Sequence, residues 1–559
     1  MCTFYCLFVY LAELIMQKVL LNGLILLFFA PTLSLILPSF SAYGFGCASC
    51  RLFGEYLLNT LVLLSGVGFL TFVFGVGSAC AVTFLRFPGR ELLRMLLFFP
   101  IAVPGYIMAL SYVQFFGFSS EFSSFFRDVL GVQHLLRINS LYGAIFVMSV
   151  AFYPYVYILC LARISSIGGA IAIARSCGKS FLSTMLEVVI PIARPAIVGG
   201  ITLVLMEVVS DFGIMQFFGL QTFVTGIYRK WFLLNDVIGA SRLVLFLLLF
   251  VVGIIFLEKL LRQGAVYSNV MGDPRAGFCW HIKGYKAVVV PLLLFLLPLF
   301  GLIFPIVSLM ILSVGAVPDY RLLSLAFESI QIALIVSFFT ILVASFFVYM
   351  EKKKKIGATA FQLSNLGYSV PGLVVGMGII NFFASGSSFL SYIPLPGLHL
   401  FTIGTFTALV YAYVFRFLAL GSNSIKSGME KIPNEIPWTM RLVGKSGFID
   451  TVCVYSPMLV GCLVSAAMFI FLDTFKELPL TLLVRPFNFE TMSTRVYELV
   501  MDERYEDAAM PALIMTAICI AITWLLTRGT YAGDLHNLKK RSRIGCFCDV
   551  CLGKNGCFD

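Results

Sequence analysis

Charge is scarce in this chain. Only 12% of its 559 residues are Asp, Glu, Lys or Arg, 60% are hydrophobic, and the mean hydropathy is +0.97. An average soluble domain carries about 25% charged residues. Too little polar surface is left to clothe a water-soluble fold of this length, which excludes soluble enzymes and soluble binding modules. A second shortage concerns nucleotide chemistry. The triplets Gly178-Lys179-Ser180 and Gly444-Lys445-Ser446 look like phosphate loops, but Ile173 and Thr439 stand where such a loop has its first glycine. Without that glycine, consecutive backbone N–H groups cannot curl around phosphates. Neither triplet follows a buried strand, so the chain is not expected to bind ATP. Metal-ligand spacing is missing too. The 15 cysteines lie mostly inside apolar runs, where a thiol acts as a small apolar group. The tail Cys546, Cys548, Cys551 and Cys557 lacks the two separated pairs of a zinc site. No disulfide framework and no stable metal site are expected.

What the chain has in abundance is long apolar runs. A membrane-spanning helix needs about 20 apolar residues. Twelve such runs are centred near Leu27, Leu70, Met108, Val150, Leu205, Phe250, Phe300, Val336, Met377, Val410, Phe469 and Ala517. They are too long for barrel strands, so the expected fold is an all-α integral membrane protein. Lys and Arg collect in cytoplasmic loops. Arg86 to Arg94, Arg163 to Arg194, Lys259 to Lys286, Lys352 to Lys355, Arg416 to Lys445 and the tail from Arg528 to Lys554 are therefore assigned to one side, with both termini cytoplasmic. The net charge of +11 follows from this topology and calls for no nucleic-acid partner. Val19 to Pro38 reads as a retained anchor rather than a cleaved signal, and Met16 offers an alternative start in an N-terminal stretch that looks extraneous.

The runs fall into a tandem repeat. Ala102-Val-Pro-Gly105 is answered by Ser369-Val-Pro-Gly372 at an offset of 267. Gly178 and Pro191 stand 13 apart in the numbering, as do Gly444 and Pro457. Glu207 and Asp211 are answered by Asp473 and Glu477 at an offset of 266, and Thr222 to Tyr228 by Thr491 to Tyr497 at 269. The expected segments are a cytoplasmic extension (1–18), a first half (19–261), a cytoplasmic linker (262–286), a second half (287–527) and a basic, Cys-rich tail (528–559). Six helices in each half give both the same polarity, so a pseudo-two-fold axis should run along the membrane normal.

Each acidic pair is spaced by four on an apolar helix, so its members share one face. A carboxylate at the bilayer centre costs on the order of 3 kcal/mol. Two readings stand: the pairs face a wet pathway between the halves, suited to a hard, oxygen-loving cation, or they end their helices at the outer interface in ordinary salt bridges. Lys476 sits among the second pair and can neutralise one charge. Pro104-Gly105 and Pro371-Gly372 interrupt apolar helices, either as functional kinks or as breaks that membrane helices tolerate.

The two loops with a glycine, a fixed spacing and an aliphatic-proline resemble the "EAA" loops of ABC-transporter permeases. The stretches Leu205 to Gly213, Phe218 to Trp231 and Asp473 to Pro511 resemble the fused, double-length permeases for ferric iron. The resemblance implies that loops 163–194 and 422–457 dock two copies of an ABC ATPase through Ala174, Gly178, Pro191, Gly444 and Pro457. Ala172 and Trp438 replace the glutamate of the motif. It further implies ATP and Mg on the ATPase alone, a periplasmic iron-binding protein, ferric ion as substrate, and a bacterial inner membrane. A permease for another small solute such as thiamine, and a secondary transporter with parallel repeats, are the rival expectations.

Overall fold

The computed structural model describes residues 34, 50–117, 120–130, 138–262, 280–316, 320–352, 366–390, 404–430, 432, 435–442 and 448–551. Among them, nine helices are long and apolar enough to cross a membrane. Helices are what such sequences must form, because in hydrocarbon every backbone N–H and C=O has to be satisfied within its own segment.

The N-terminal set comprises α1 (Cys50–Phe84), α2 (Gly105–Phe116), α3 (Leu141–Ile164), α4 (Gly168–Ser176), α5 (Ile190–Ser210), the short α6 (Gly213–Phe217) and α7 (Phe223–Tyr228), and α8 (Val237–Arg262). The C-terminal set comprises α9 (Lys286–Gly315), which runs through a π turn, then α10 (Leu322–Lys352), α11 (Gly372–Leu390) and α12 (Phe406–Glu430). It continues with α13 (Phe448–Lys476), the short α14 (Pro479–Val484) and α15 (Met492–Met501), and α16 (Tyr505–Cys551). The nine spanning helices are α1, α3, α5, α8, α9, α10, α12, α13 and α16, and they carry nine of the expected midpoints. Of the other three, Leu27 lies outside the described residues, Met108 falls in a bent pair of helices and Met377 in the shorter α11.

Element boundaries recur along the chain. The last residues of α5 and α13, Ser210 and Lys476, are 266 apart, as are the first residues of α6 and α14, Gly213 and Pro479. Both α7 and α15 open on a capping box, Thr222 with Thr225 and Thr491 with Thr494, which satisfies the first free N–H groups reciprocally. Within each set the packing is the same: α1 lies against α3 and α5, and α10 lies against α12 and α13. A Cβ at Gly200 of α5 would sit 2.9 Å from the Val156 backbone, the kind of close approach that membrane helices use in place of a hydrophobic driving force.

The sets are also stitched crosswise. Ser308 of α9 donates a 3.1 Å hydrogen bond to the Ser111 carbonyl of α2, and Ser34 donates one of 3.0 Å to the Gly378 carbonyl of α11. The acceptors Ser111 and Gly378 are 267 apart, the repeat offset, while the donors are 274 apart, so the two contacts fall on corresponding segments without matching residue for residue. Each set thus holds the segment that follows the Pro-Gly of the other. A two-residue parallel pairing of Leu85–Arg86 with Trp280–His281 adds a further tie between chain regions.

Candidate functional site

The site is organised by two helix breaks. Pro104 has no N–H, and the residue before a proline is pushed out of the helical region. Val103 is accordingly extended (φ −83°, ψ 117°), and α2 starts afresh at Gly105. The segments Arg90–Ala102 and Gly105–Phe116 meet at 92°. Tyr153 and Tyr157 of α3 hold the first arm in place by donating to the carbonyls of Leu97 (2.9 Å) and Arg94 (3.0 Å). In the C-terminal set a short 3-10 turn, Leu366–Ser369, precedes Pro371, and α11 begins at Gly372. The carbonyls of Pro104 and Pro371 each accept the first helical hydrogen bond at 3.0 Å, from Met108 and Val375. Pro104-Gly105 is therefore a chain break that starts a new helix, not a kink within one, and Pro371-Gly372 likewise stands at a helix start.

The acidic pairs sit opposite these breaks. Sequence spacing places both members of a pair on one helix face, but α5 ends at Ser210 and α13 ends at Lys476. Only Glu207 and Asp473 are helical. Asp211 is extended and its Oδ1 accepts the Ile214 N–H at 2.7 Å, capping α6. Glu477 stands in the matching place, between the end of α13 at Lys476 and the start of α14 at Pro479. Each pair therefore straddles a helix terminus, and at Asp211 a polar cap begins the next helix.

All four carboxylates nevertheless line one cavity of about 110 Å³, together with Pro104, Gly105, Lys476, Tyr368 and Arg416. Glu207 accepts a 2.7 Å hydrogen bond from the Tyr368 hydroxyl, which reaches across from the C-terminal set. Asp473 lies 3.2 Å from Lys476 Nζ, and the same ammonium contacts the Ile101 carbonyl of the N-terminal set at 3.4 Å. Glu477 Oε2 is 3.4 Å from Arg416 Nε, and both side chains are buried. Glu477 Oε1 is buried with no hydrogen-bond partner among the described residues. The close approach of the broken segments depends on glycine. A Cβ at Gly105 would lie 3.3 Å from Asp211 Oδ2, and one at Gly372 would collide with Glu477 Oε1 and Arg416 Nη1.

Sequence reasoning misses Arg416 and Tyr368. Charge distribution groups Arg416 with the cytoplasmic basic loop, but it lies buried in α12 against Glu477. Its flanks, Val414-Phe415 and Phe417-Leu418-Ala419-Leu420, are the available signal, since a loop arginine is not bracketed by apolar residues. Tyr368 carries a weaker signal, as the answer to Ile101 at the repeat offset of 267. Both cations of the cavity belong to the C-terminal set. At the repeat offset of 266, Arg416 and Lys476 answer to Val150 and Ser210, so Glu207 and Asp211 have no cation on the equivalent positions. With all groups ionised, four carboxylates and two cations leave the cavity negative on the N-terminal side. Oxygen donors of this kind suit hard cations. Among the described residues no group of three His, Cys, Asp or Glu is arranged to hold a metal ion.

The loop at 163–194, one of the two that resemble EAA loops, is a helix, a tight turn and a second helix. α4 ends in a left-handed Gly178 (φ 80°), with the Lys179 N–H returning to the Ala174 carbonyl at 3.2 Å. That is a Schellman closure, for which glycine is the favoured residue. Ala174 is buried and its neighbour Ile173 is 68% exposed. Lys179 pairs with Glu187 on the second helix, where a π turn (Met185–Val189) precedes the exposed Pro191. Of the second loop, Gly444 lies outside the described residues, while Pro457 is exposed within α13.

No protein-family model matches the sequence. The chain is 22% identical over 475 residues to the Fe(3+)-transport system permease protein FbpB 2 of Haemophilus influenzae, a match covering 82% of this chain and 87% of that protein. It is 25% identical over 211 residues to PhnU of Salmonella choleraesuis, and over 225 residues to PhnU of Salmonella paratyphi A, permeases named for a 2-aminoethylphosphonate transport system. These matches cover 36% and 39% of this chain but 73% and 76% of the relatives, which are therefore about half its length. The relatives are named as transport permeases, and with nine helices among the described residues long and apolar enough to cross a membrane the chain is a multi-pass membrane protein.

Proposed function

We propose that this chain is the membrane permease of an ATP-binding-cassette importer that carries ferric iron across a bacterial inner membrane. The observation that carries the reading is the convergence of Glu207, Asp211, Asp473 and Glu477 on one cavity between the two helix sets. Similarity to a ferric-iron permease along most of both chains supports it independently. The chain makes and breaks no covalent bond. ATP and Mg are handled by a separate ATPase, of which two copies dock on loops 163–194 and 422–457, and a periplasmic binding protein delivers the ion. Both termini face the cytoplasm in this arrangement, following the distribution of Lys and Arg. Closure of the ATPases rocks the two sets about the broken segments, exposing the acidic cavity to one side and then the other.

Reconstitution of the chain with its ATPase and binding protein in liposomes tests this directly. Uptake of radiolabelled ferric iron should require ATP and the binding protein, and should resist excess thiamine or 2-aminoethylphosphonate. Competition by either solute, or uptake driven by an ion gradient without the ATPase, would overturn the assignment.

A further inference from the structure

We propose that Lys476 is a tethered counter-ion that competes with cargo for the cavity carboxylates and so sets a charge threshold on the cations that pass. The proposal rests on the reading of the cavity as a cation route. Among the described residues two cations enter the cavity, and they are held differently. Arg416 is a fixed part of the wall: its guanidinium is buried, sits 5.8 Å from the Phe417 ring centroid, donates to the Val370 carbonyl at 3.4 Å and pairs with Glu477. Lys476 is the last residue of α13 and touches the two sets through single long contacts, 3.2 Å to Asp473 and 3.4 Å to the Ile101 carbonyl. A compact ammonium on a flexible four-carbon stem can leave such a position by rotating its stem, whereas a packed planar guanidinium cannot.

A lysine in the last turn of a helix is favourable for the helix dipole alone. That account does not explain its position. The equivalent residue at the end of α5 is Ser210, so the helix terminus does not require a cation. Lys476 also points into a cavity that retains unmet acceptor capacity: Glu477 Oε1, on a side chain 8% exposed, has no hydrogen-bond partner among the described residues. Arg416 Nε is likewise without a hydrogen-bond partner among them, so the surplus lies in the charge count: four carboxylates face two cations.

Coulomb attraction scales with charge at a given distance. A monovalent ion that replaces the ammonium gains nothing over it, and the tether gives the lysine a high local concentration. A divalent ion gains twice the attraction and a trivalent ion three times. Lys476 therefore excludes monovalent ions and handicaps divalent ones, while a trivalent ion displaces it.

The full chain in detergent can be tested with terbium(III), a trivalent, oxygen-seeking ion whose emission is sensitised by nearby phenols. Tyr155 and Tyr368 line the cavity and serve as antennae. Manganese(II) is the divalent competitor. In Lys476→Met the affinities for manganese and terbium should both rise about tenfold, because the unit charge that either ion must displace is gone, and Lys476→Arg should keep both affinities of the parent. Unchanged affinities in Lys476→Met, or the same rise in Lys476→Arg, would overturn the counter-ion role. Terbium emission that is insensitive to both Glu207→Gln and Asp473→Asn would instead overturn the cation-route reading, so the two failures are separable.

Discussion

The Tyr368 hydroxyl donates to Glu207 Oε1 at 2.7 Å, joining the turn before one Pro-Gly break to the acidic helix of the other set. The reciprocal contact exists as well: Lys476 of α13 reaches the carbonyl of Ile101, the residue that stands 267 before Tyr368. Two equivalent positions thus carry two cross-set contacts with different chemistry. A hydrogen bond to a charged group contributes about 1.5 to 3 kcal/mol. Tyr368→Phe removes this one and leaves the ring. The expected outcome is a chain that inserts normally but whose reconstituted complex hydrolyses ATP faster without binding protein, because one tie holding the sets in this arrangement is gone. An unstimulated ATPase rate equal to the parent's would reduce the bond to a packing detail.

The two break glycines are not interchangeable. A Cβ at Gly105 meets Ile214 Cδ1 at 2.8 Å and Asp211 Oδ2 at 3.3 Å, and the first of these is the flexible end of a side chain. A Cβ at Gly372 meets the head groups of a buried ion pair that have nowhere to move. Overpacking of this kind costs about 1 to 3 kcal/mol. Gly372→Ala should therefore lower the thermal stability of the detergent-solubilised chain more than Gly105→Ala, as measured by thiol-independent aggregation on heating. Equal shifts would contradict the difference in surroundings.

The fold class and most spanning segments are legible because long apolar runs have one solution in a bilayer. The acidic residues are legible for the same reason, as charges where charge is expensive. Their detailed setting is not. Spacing of four implies one helix face, but Asp211 and Glu477 both lie beyond the end of their helices, and Asp211 acts as a cap, which competes with helix continuation through a local hydrogen bond that periodicity does not register. Arg416 is misplaced because topology counts treat every arginine as a loop marker, while this one is stabilised in the interior by Glu477. Tyr368 cannot be found from its own neighbourhood at all, since its partner lies 161 residues away.

Gly178 offers a test of the loop that needs no partner structure. Its φ of 80° is strained for any residue with a Cβ, and no heavy atom within 4 Å would obstruct one. The effect of substitution is therefore a backbone effect of about 1 to 2 kcal/mol, least for Asn and greatest for a β-branched residue. Iron uptake by the complex should fall in the order Gly178→Asn, Gly178→Ala, Gly178→Val while the amount of chain in the membrane stays constant. A ranking by side-chain volume alone, or no ranking, would show that the left-handed turn does not serve ATPase coupling.

The four acids should respond unequally to replacement by amides, and the inequality follows from their partners. Glu477 neutralises Arg416 where both are buried, and breaking a buried pair by removing one member costs about 3 to 5 kcal/mol because the other charge is left uncompensated. Glu477→Gln should therefore be destabilised, and the added change Arg416→Met should restore much of the stability. Asp473→Asn strands Lys476 instead, but that side chain can turn away, so stability should fall less. Glu207→Gln keeps an oxygen that can accept from Tyr368, and Asp211→Asn keeps a side chain that caps a helix well. These two replacements remove charge from the side of the cavity with no resident cation and leave the packing almost untouched. They should give the cleanest loss of ferric-iron uptake at normal expression, normal melting and normal binding-protein-stimulated ATPase. Measured side by side, parental uptake in both Glu207→Gln and Asp211→Asn would remove the cation-route reading, whatever Glu477→Gln did, because in those two variants loss of charge is the principal change.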